Sequence, residues 1–144
     1  FKSILTIFSF LNITFSGKEA AALRKYLVSG GFLYADDDFG MDKHFRREMK
    51  KVFPELNFVE LPFKHPIYHI YYNFNNGLPK IHEHAGGPPR GLGLIYKGRL
   101  VCFYSFNTDI SDGCEDAEIH NDASGIRRQA LRMAVNILLC AVLN

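Results

Sequence analysis

Strand-like apolar segments alternate in this chain with segments of helical periodicity, and this alternation restricts the fold more than any other feature. Strands are predicted at residues 4–11, 32–35 and 57–61. Helices are predicted between them: Ser16 and Glu19 form a capping box for the first, and Asp42 can cap the second. His65 before Pro66 is a candidate N-cap of a short helical turn. This order is typical of a parallel sheet with helices on its faces. The 144 residues therefore predict a single three-layer α/β domain with a mainly parallel sheet.

The first apolar segment, residues 4–11, has two interpretations. Lys2 is the only charged residue among the first 16, so the segment resembles the remnant of a signal-peptide hydrophobic region. It is too short to span a bilayer, which takes about 20 residues. We favour a buried strand, because Ile, Phe and Thr dominate the segment and a helix signal follows directly.

A hairpin and a long helix are predicted near the C-terminus. Residues 92–96 and 100–106 flank Lys97-Gly98-Arg99, which predicts an antiparallel hairpin with a three-residue turn. The final helix is predicted over residues 124–143. Its second half is apolar nearly all round, so we expect it to be well buried.

Composition supports one globular core and excludes several other classes of protein. Apolar residues make up 47% and charged residues 22% of the chain, close to the globular average. The formal net charge of +2 is too small to predict nucleic-acid binding, and no transmembrane segment is predicted. Three widely spaced cysteines fit neither a disulfide framework nor a zinc pattern.

Asp36, Asp37 and Asp38 directly follow the second predicted strand. Ligands of open α/β sheets bind outside the carboxyl ends of the strands. Adjacent like charges repel each other, which favours a cation, an arginine partner or a shifted carboxyl pKa. We therefore predict ligand binding by these residues. The alternative is that one aspartate caps the following turn and the others are solvated.

His82 and His84 lie two residues apart and flank Glu83. In an extended segment their imidazoles point the same way, so both could hold one divalent metal ion. The alternative is that they hydrogen-bond to backbone groups in a loop. Two ligands do not complete a site. The candidates for a third are His65, His69, His120, Asp36, Asp37, Asp38 and Asp109.

The long loop before the last predicted helix is acidic and contains no lysine or arginine. We predict that Asp109 and Asp112 in this loop contribute to ligand binding. An EF-hand is excluded, because with Gly113 at the sixth position the first, third and twelfth positions carry no carboxylate. The alternative is that the loop pairs with Arg127 and Arg128 or caps the last helix.

The sequence offers no nucleophile to which catalysis can be assigned. It contains no Gly-x-Ser-x-Gly elbow. Cys114 is the one cysteine outside an apparent core segment, and its acidic neighbours are expected to raise its thiol pKa. Cys102 and Cys140 are predicted to be small buried hydrophobic residues.

A series of short motifs carries a resemblance to a known family. They lie at residues 23–27, 30–33, 35–37, 45–49, 52–54, 61–62, 65–67, 77–84, 91–93 and 107–113. In this order they resemble a bacterial family known only as domain of unknown function 4159.

The resemblance implies a flavodoxin-like three-layer sandwich of the class I glutamine-amidotransferase-like superfamily, and no known activity. Amide-hydrolysing members of that superfamily use a cysteine on a strand-to-helix elbow, which this sequence lacks. Relatives occur beside MoxR-type ATPases and von Willebrand-A-type proteins in envelope-linked operons. This implies an accessory role in a bacterial envelope, periplasm or cytoplasm. Relatives also carry a preceding strand–helix unit, which we expect this chain to lack.

Two functions remain open at this stage. The first is a non-catalytic module that binds a small polar ligand or a protein partner at the edge carrying Asp36, Asp37 and Asp38. The second is a metal-assisted hydrolase in which His82 and His84 hold a divalent ion and an aspartate completes the site. The missing nucleophile favours the binding module, and the sequence leaves open whether the domain is an enzyme.

Overall fold

The computed structural model describes residues 3–9, 12–37, 40–83 and 86–143, and of residues 8 and 9 only the backbone. The described residues form five strands and four α-helices. In chain order these are β1 (Ile4–Ser9), α1 (Gly17–Val28), β2 (Phe32–Asp37), α2 (Asp42–Val52), β3 (Val59–Glu60), β4 (Arg90–Tyr96), β5 (Arg99–Phe106), α3 (Ala117–His120) and α4 (Ser124–Leu143). Two 3-10 helices lie at Pro66–Tyr68 and Asp112–Cys114. The fold is mixed α/β, as the alternation predicts.

The five strands form one open sheet in the order β1-β2-β5-β4-β3. β1 with β2 and β2 with β5 are parallel, whereas β5 with β4 and β4 with β3 are antiparallel. A mainly parallel sheet is therefore not confirmed. The predicted third strand is only the two residues of β3, and it pairs at the far edge with the hairpin instead of joining β2. The antiparallel hairpin itself is confirmed.

The hairpin turn explains why β4 is antiparallel to β5. β4 ends at Tyr96 and β5 begins at Arg99, so the turn has two residues and not the three predicted. Lys97 and Gly98 have φ angles of 49° and 80°. Two consecutive positive φ angles are those of a type I′ turn, whose twist matches that of paired strands.

Helices pack on both faces of the sheet because side chains of a strand alternate between faces. Phe32 and Tyr34 of β2 belong to a hydrophobic cluster that includes α4. Leu33 and Ala35 belong to a second cluster that includes α1 and α2. β2 therefore lies between two cores.

Local capping signals account for two of the helix starts. The Ser16 Oγ accepts from the Glu19 N–H at 3.3 Å and the Glu19 carboxylate accepts from the Ser16 N–H at 2.7 Å, which confirms the predicted capping box. The His65 side chain caps the 3-10 helix that begins at Pro66, as predicted. Asp42 is the first residue of α2 and not its cap.

Two expectations about burial are wrong. β1 is a strand, but it lies at the edge of the sheet and Leu5 is 43% exposed; residues 10 and 11 lie outside the described residues. α4 packs on one side only, since Leu138, Val142 and Leu143 are all more than half exposed. Within the part of the chain that the structure describes, no helix combines the length and apolarity that crossing a bilayer requires.

Candidate metal centre

The acidic loop after β5 contains two short helices. Asn107 and Asp109 begin it with φ angles of 59° and 62°, a conformation that Asn and Asp tolerate better than most residues. The chain then forms the 3-10 helix Asp112–Cys114 and the single-turn helix α3. These turns fold the loop back towards the residues that precede β4.

Hydrogen bonds of the Asp36 carboxylate connect this loop to the sheet. Asp36 is fully buried, and one of its carboxylate oxygens accepts from both the N–H and the hydroxyl of Ser111 at 2.7 Å. The other oxygen accepts from the Ser105 hydroxyl of β5. Burial raises the Asp36 pKa, although the hydrogen bonds from Ser105 and Ser111 oppose that rise. The Asp36 carboxylate therefore makes structural contacts.

Asp37 is also engaged within the fold. Its carboxylate accepts from the Met41 N–H at 3.1 Å, just before α2, and burial raises its pKa. Asp38 lies outside the described residues. Ligand binding by these three aspartates stays a prediction.

His82 lies between acids from the two ends of the loop. The His82 N–H donates to the Thr108 carbonyl at 3.1 Å, which ties its segment to the loop. Its Nε2 is 3.0 Å and 3.1 Å from the two carboxylate oxygens of Asp122. Its Nδ1 is 3.4 Å from an Asp109 oxygen and 4.0 Å from an Asp112 oxygen. Three carboxylates thus surround one imidazole.

His120, the last residue of α3, lies on the other side of Asp112. Its Nε2 is 2.9 Å from a Glu115 oxygen and 3.8 Å from the Asp112 oxygen. The centres of the His120 and His82 rings are 5.2 Å apart. The hydrogen bond to Glu115 raises the pKa of His120, and Asp112 adds to this effect.

His82, Asp112 and His120 each offer one ligand atom, and these three atoms all lie within 4.8 Å of one another. We call these residues the His-Asp-His cluster. Two imidazoles and one carboxylate form a donor set used by zinc and other divalent transition metals. Three protein ligands also leave a fourth coordination position open.

The predicted ligands have different places in the fold. His82 and His120 join the cluster, while Asp109 contacts His82. His65 caps a 3-10 helix and His69 bonds to Asn73 and to the Phe63 carbonyl, so neither joins the cluster. His84 lies outside the described residues, and metal binding by it stays a prediction.

Asp122 is the functional candidate that sequence reasoning missed. It lies 40 residues from His82, so no local spacing connects them. Asn121 ends α3 with a φ angle of 55°, and this left-handed residue turns the chain so that Asp122 reaches His82. Asn after a short helical segment is a known stop signal, but it does not reveal the partner.

A cavity of about 520 Å³ opens beside the cluster, between β1, β2, the loop and α4. Its apolar lining includes Ile4, Tyr34, Ile110, Ala134, Ile137 and Leu138. Among the described residues, its acidic lining consists of Asp112 and Glu115, the two acids that contact His120. The cavity and the His-Asp-His cluster therefore share Asp112.

The three cysteines are free thiols in this fold. Cys114 lines the cavity, and burial, with the nearby Asp36 carboxylate, raises its pKa to about 11. Such a thiol is a poor nucleophile at neutral pH. Cys102 and Cys140 are buried, as predicted.

The sequence model of the family described as domain of unknown function 4159 matches residues 9–142. This chain belongs to the DUF4159 family. The matched region contains the entire His-Asp-His cluster, together with Asp36 and Asp122. The DUF4159 description assigns no activity. A comparison with curated proteins finds no match.

Proposed function

We propose that this DUF4159 domain is a ligand-binding module built around a divalent transition-metal ion held by His82, Asp112 and His120. The observation that carries the proposal is the convergence of their three ligand atoms within 4.8 Å. His82 precedes β4, whereas Asp112 and His120 lie in the acidic loop, and the hydrogen bond from the His82 N–H to the Thr108 carbonyl ties the two segments together.

The distances are compatible with a small closure around an ion. In a tetrahedral zinc site with bonds of about 2.1 Å, ligand atoms lie about 3.4 Å apart. The Asp112 oxygen is 4.0 Å from the His82 Nδ1 and 3.8 Å from the His120 Nε2. Shifts of less than about 1 Å would bring these pairs to that spacing. The ion would also have to displace the hydrogen that the His120 Nε2 donates to Glu115, so metal binding would release a proton.

Asp122 supplies an outer-shell partner for the proposed metal ligand. A carboxylate only accepts hydrogen bonds, so the His82 Nε2 carries the hydrogen in its contact with Asp122. In the neutral imidazole this leaves the Nδ1 lone pair on the side of Asp109 and Asp112. A metal-bound histidine whose other nitrogen donates to a carboxylate is a recurrent arrangement in metalloproteins.

Metal-assisted hydrolysis is the second candidate function. It is favoured by the open coordination position and by Glu115, whose carboxylate lies next to His120 at the edge of the cavity. A bound divalent ion lowers the pKa of a coordinated water, and a nearby carboxylate can act as a base.

We also propose that the domain is a flavodoxin-like three-layer sandwich of the glutamine-amidotransferase-like superfamily. The parallel arrangement of β1, β2 and β5 and the hydrophobic clusters on both faces support this placement. Glutaminase chemistry is not part of the proposal, because Cys114 lies on a 3-10 helix with a raised pKa.

The test is the zinc content of untagged protein after zinc loading and dialysis, measured by plasma mass spectrometry. We expect about one zinc per chain in the wild type and none in the His82→Ala/His120→Ala variant. The matched control is His44→Ala, since His44 lies on α2 and contacts Arg47 instead of the cluster. A wild type without zinc would overturn the proposal. Hydrolysis of chromogenic esters that is lost in His120→Ala would favour the second candidate.

A further inference from the structure

The cavity beside the His-Asp-His cluster has one acidic region and an otherwise largely apolar lining. A volume of about 520 Å³ lies in the range of small-molecule sites. Five of its aliphatic side chains come from β1, the loop and α4: Ile4, Ile110, Ala134, Ile137 and Leu138. Such a lining favours a flexible hydrocarbon chain over a polar molecule.

The acidic region determines what kind of head group can bind. Asp112 and Glu115 repel an anion, whereas a metal ion held by the neighbouring cluster reverses the local charge. A head group that coordinates this ion at its open position would lie where the cavity meets the cluster. The hydrocarbon part would then extend along the apolar lining.

We propose that the cavity binds an aliphatic carboxylic acid derivative whose head group coordinates the metal ion while its chain occupies the apolar region. This inference rests on the proposed metal centre and adds the ligand class to it. The cavity shares Asp112 with the cluster, so chain and head group are recognised together.

Two metal-coordinating probes of different chain length test the inference. Octanohydroxamate and acetohydroxamate carry the same head group and differ by six methylenes. Full burial of one methylene raises affinity about fourfold. We therefore expect calorimetry on the zinc-loaded protein to give at least tenfold tighter binding of octanohydroxamate, with zinc content checked after titration.

Two substitutions on the surface of α4 test the contribution of the cavity lining without changing a proposed metal ligand. Leu138 lines the cavity and is half exposed, so Leu138→Asp is expected to fold normally and to lose the chain-length preference. Val142 is comparably exposed on the same helix but is not part of the lining, so the Val142→Asp variant is expected to retain the chain-length preference. Octanohydroxamate is also expected to slow alkylation of Cys114, the least buried cysteine.

Failure of this inference can be distinguished from failure of the proposed metal centre. A tenfold preference that Leu138→Asp abolishes supports the inference. Equal affinities of the two hydroxamates for a zinc-containing protein overturn it and leave the metal centre intact. A protein that retains no zinc overturns both proposals.

Discussion

Asp122 orients one imidazole at the centre of the candidate site. Its two carboxylate oxygens lie 3.0 Å and 3.1 Å from the His82 Nε2. The contact therefore determines which nitrogen faces Asp109 and Asp112. One hydrogen bond at this position affects the whole cluster, because the same ring offers the proposed metal ligand.

We expect Asp122→Asn to weaken zinc binding about 10–100-fold, the usual cost of losing an outer-shell carboxylate. The affinity is measured by competition with a fluorescent zinc chelator. The matched control is Asp116→Asn, since Asp116 is an exposed acid of the same loop whose side chain makes no capping hydrogen bond. An equal loss in both variants would indicate a general charge effect and contradict the role of Asp122.

At the scale of elements, Gly113 allows the loop to approach α4. A Cβ at this position would lie 2.6 Å from the Ala130 Cβ and 2.7 Å from the Ile81 Cγ2. Only a residue without a side chain permits this packing. The adjacent Asp112 thereby gains a fixed position in the cluster.

We expect Gly113→Ala to lower the free energy of unfolding by about 1–3 kcal/mol, the usual cost of overpacking, and to weaken zinc binding as Asp112 shifts. Urea unfolding and the chelator competition measure the two effects. Gly125→Ala is the control, because Gly125 lies in α4 with open space around it and alanine favours a helix. Equal stabilities of the two variants would contradict the packing argument.

At the scale of the whole molecule, Glu48 links α2 to the segment that precedes α1. Its buried carboxylate accepts from the Phe15 N–H at 2.6 Å and pairs with Arg47 and Lys51. Burial alone would raise the pKa of Glu48, but the contacts with Lys51, Phe15 and Arg47 outweigh it and lower the pKa to about 2. The ionised form is therefore the stabilising one.

Because its pKa is lower in the folded than in the unfolded state, Glu48 contributes stability above the ordinary value of 4.5, and this contribution is lost as the pH falls towards 2. We expect Glu48→Gln to destabilise the protein by about 1.5–3 kcal/mol at pH 7, the range for hydrogen bonds to charged groups. Urea unfolding between pH 2 and pH 7 measures the difference, which should shrink at the acid end. A difference that is independent of pH would contradict the assignment, and Glu118→Gln on exposed α3 serves as the control.

The amino-acid sequence determined the local features of this protein. The capping box at Ser16 and Glu19, the His65 cap, the hairpin and the buried cysteines all depend on neighbouring residues or on hydrophobicity, and they are confirmed. The sequence also indicates His82 and His120 as candidate ligands, because imidazoles are few and their chemistry is specific.

Only the tertiary structure decided which strands pair and which distant residues meet. The two-residue β3 pairs with β4 of the hairpin. The sequence does not predict this pairing, because strand pairing depends on long-range contacts that no local pattern encodes. His120 joins the cluster while His65 and His69 make other contacts, and Asp122 reaches His82 after the left-handed Asn121 turns the chain. The spacing of residues along the sequence does not predict these contacts. They depend on the packing of the loop against α4 and on the hydrogen bonds between Ser111 of the loop and Asp36.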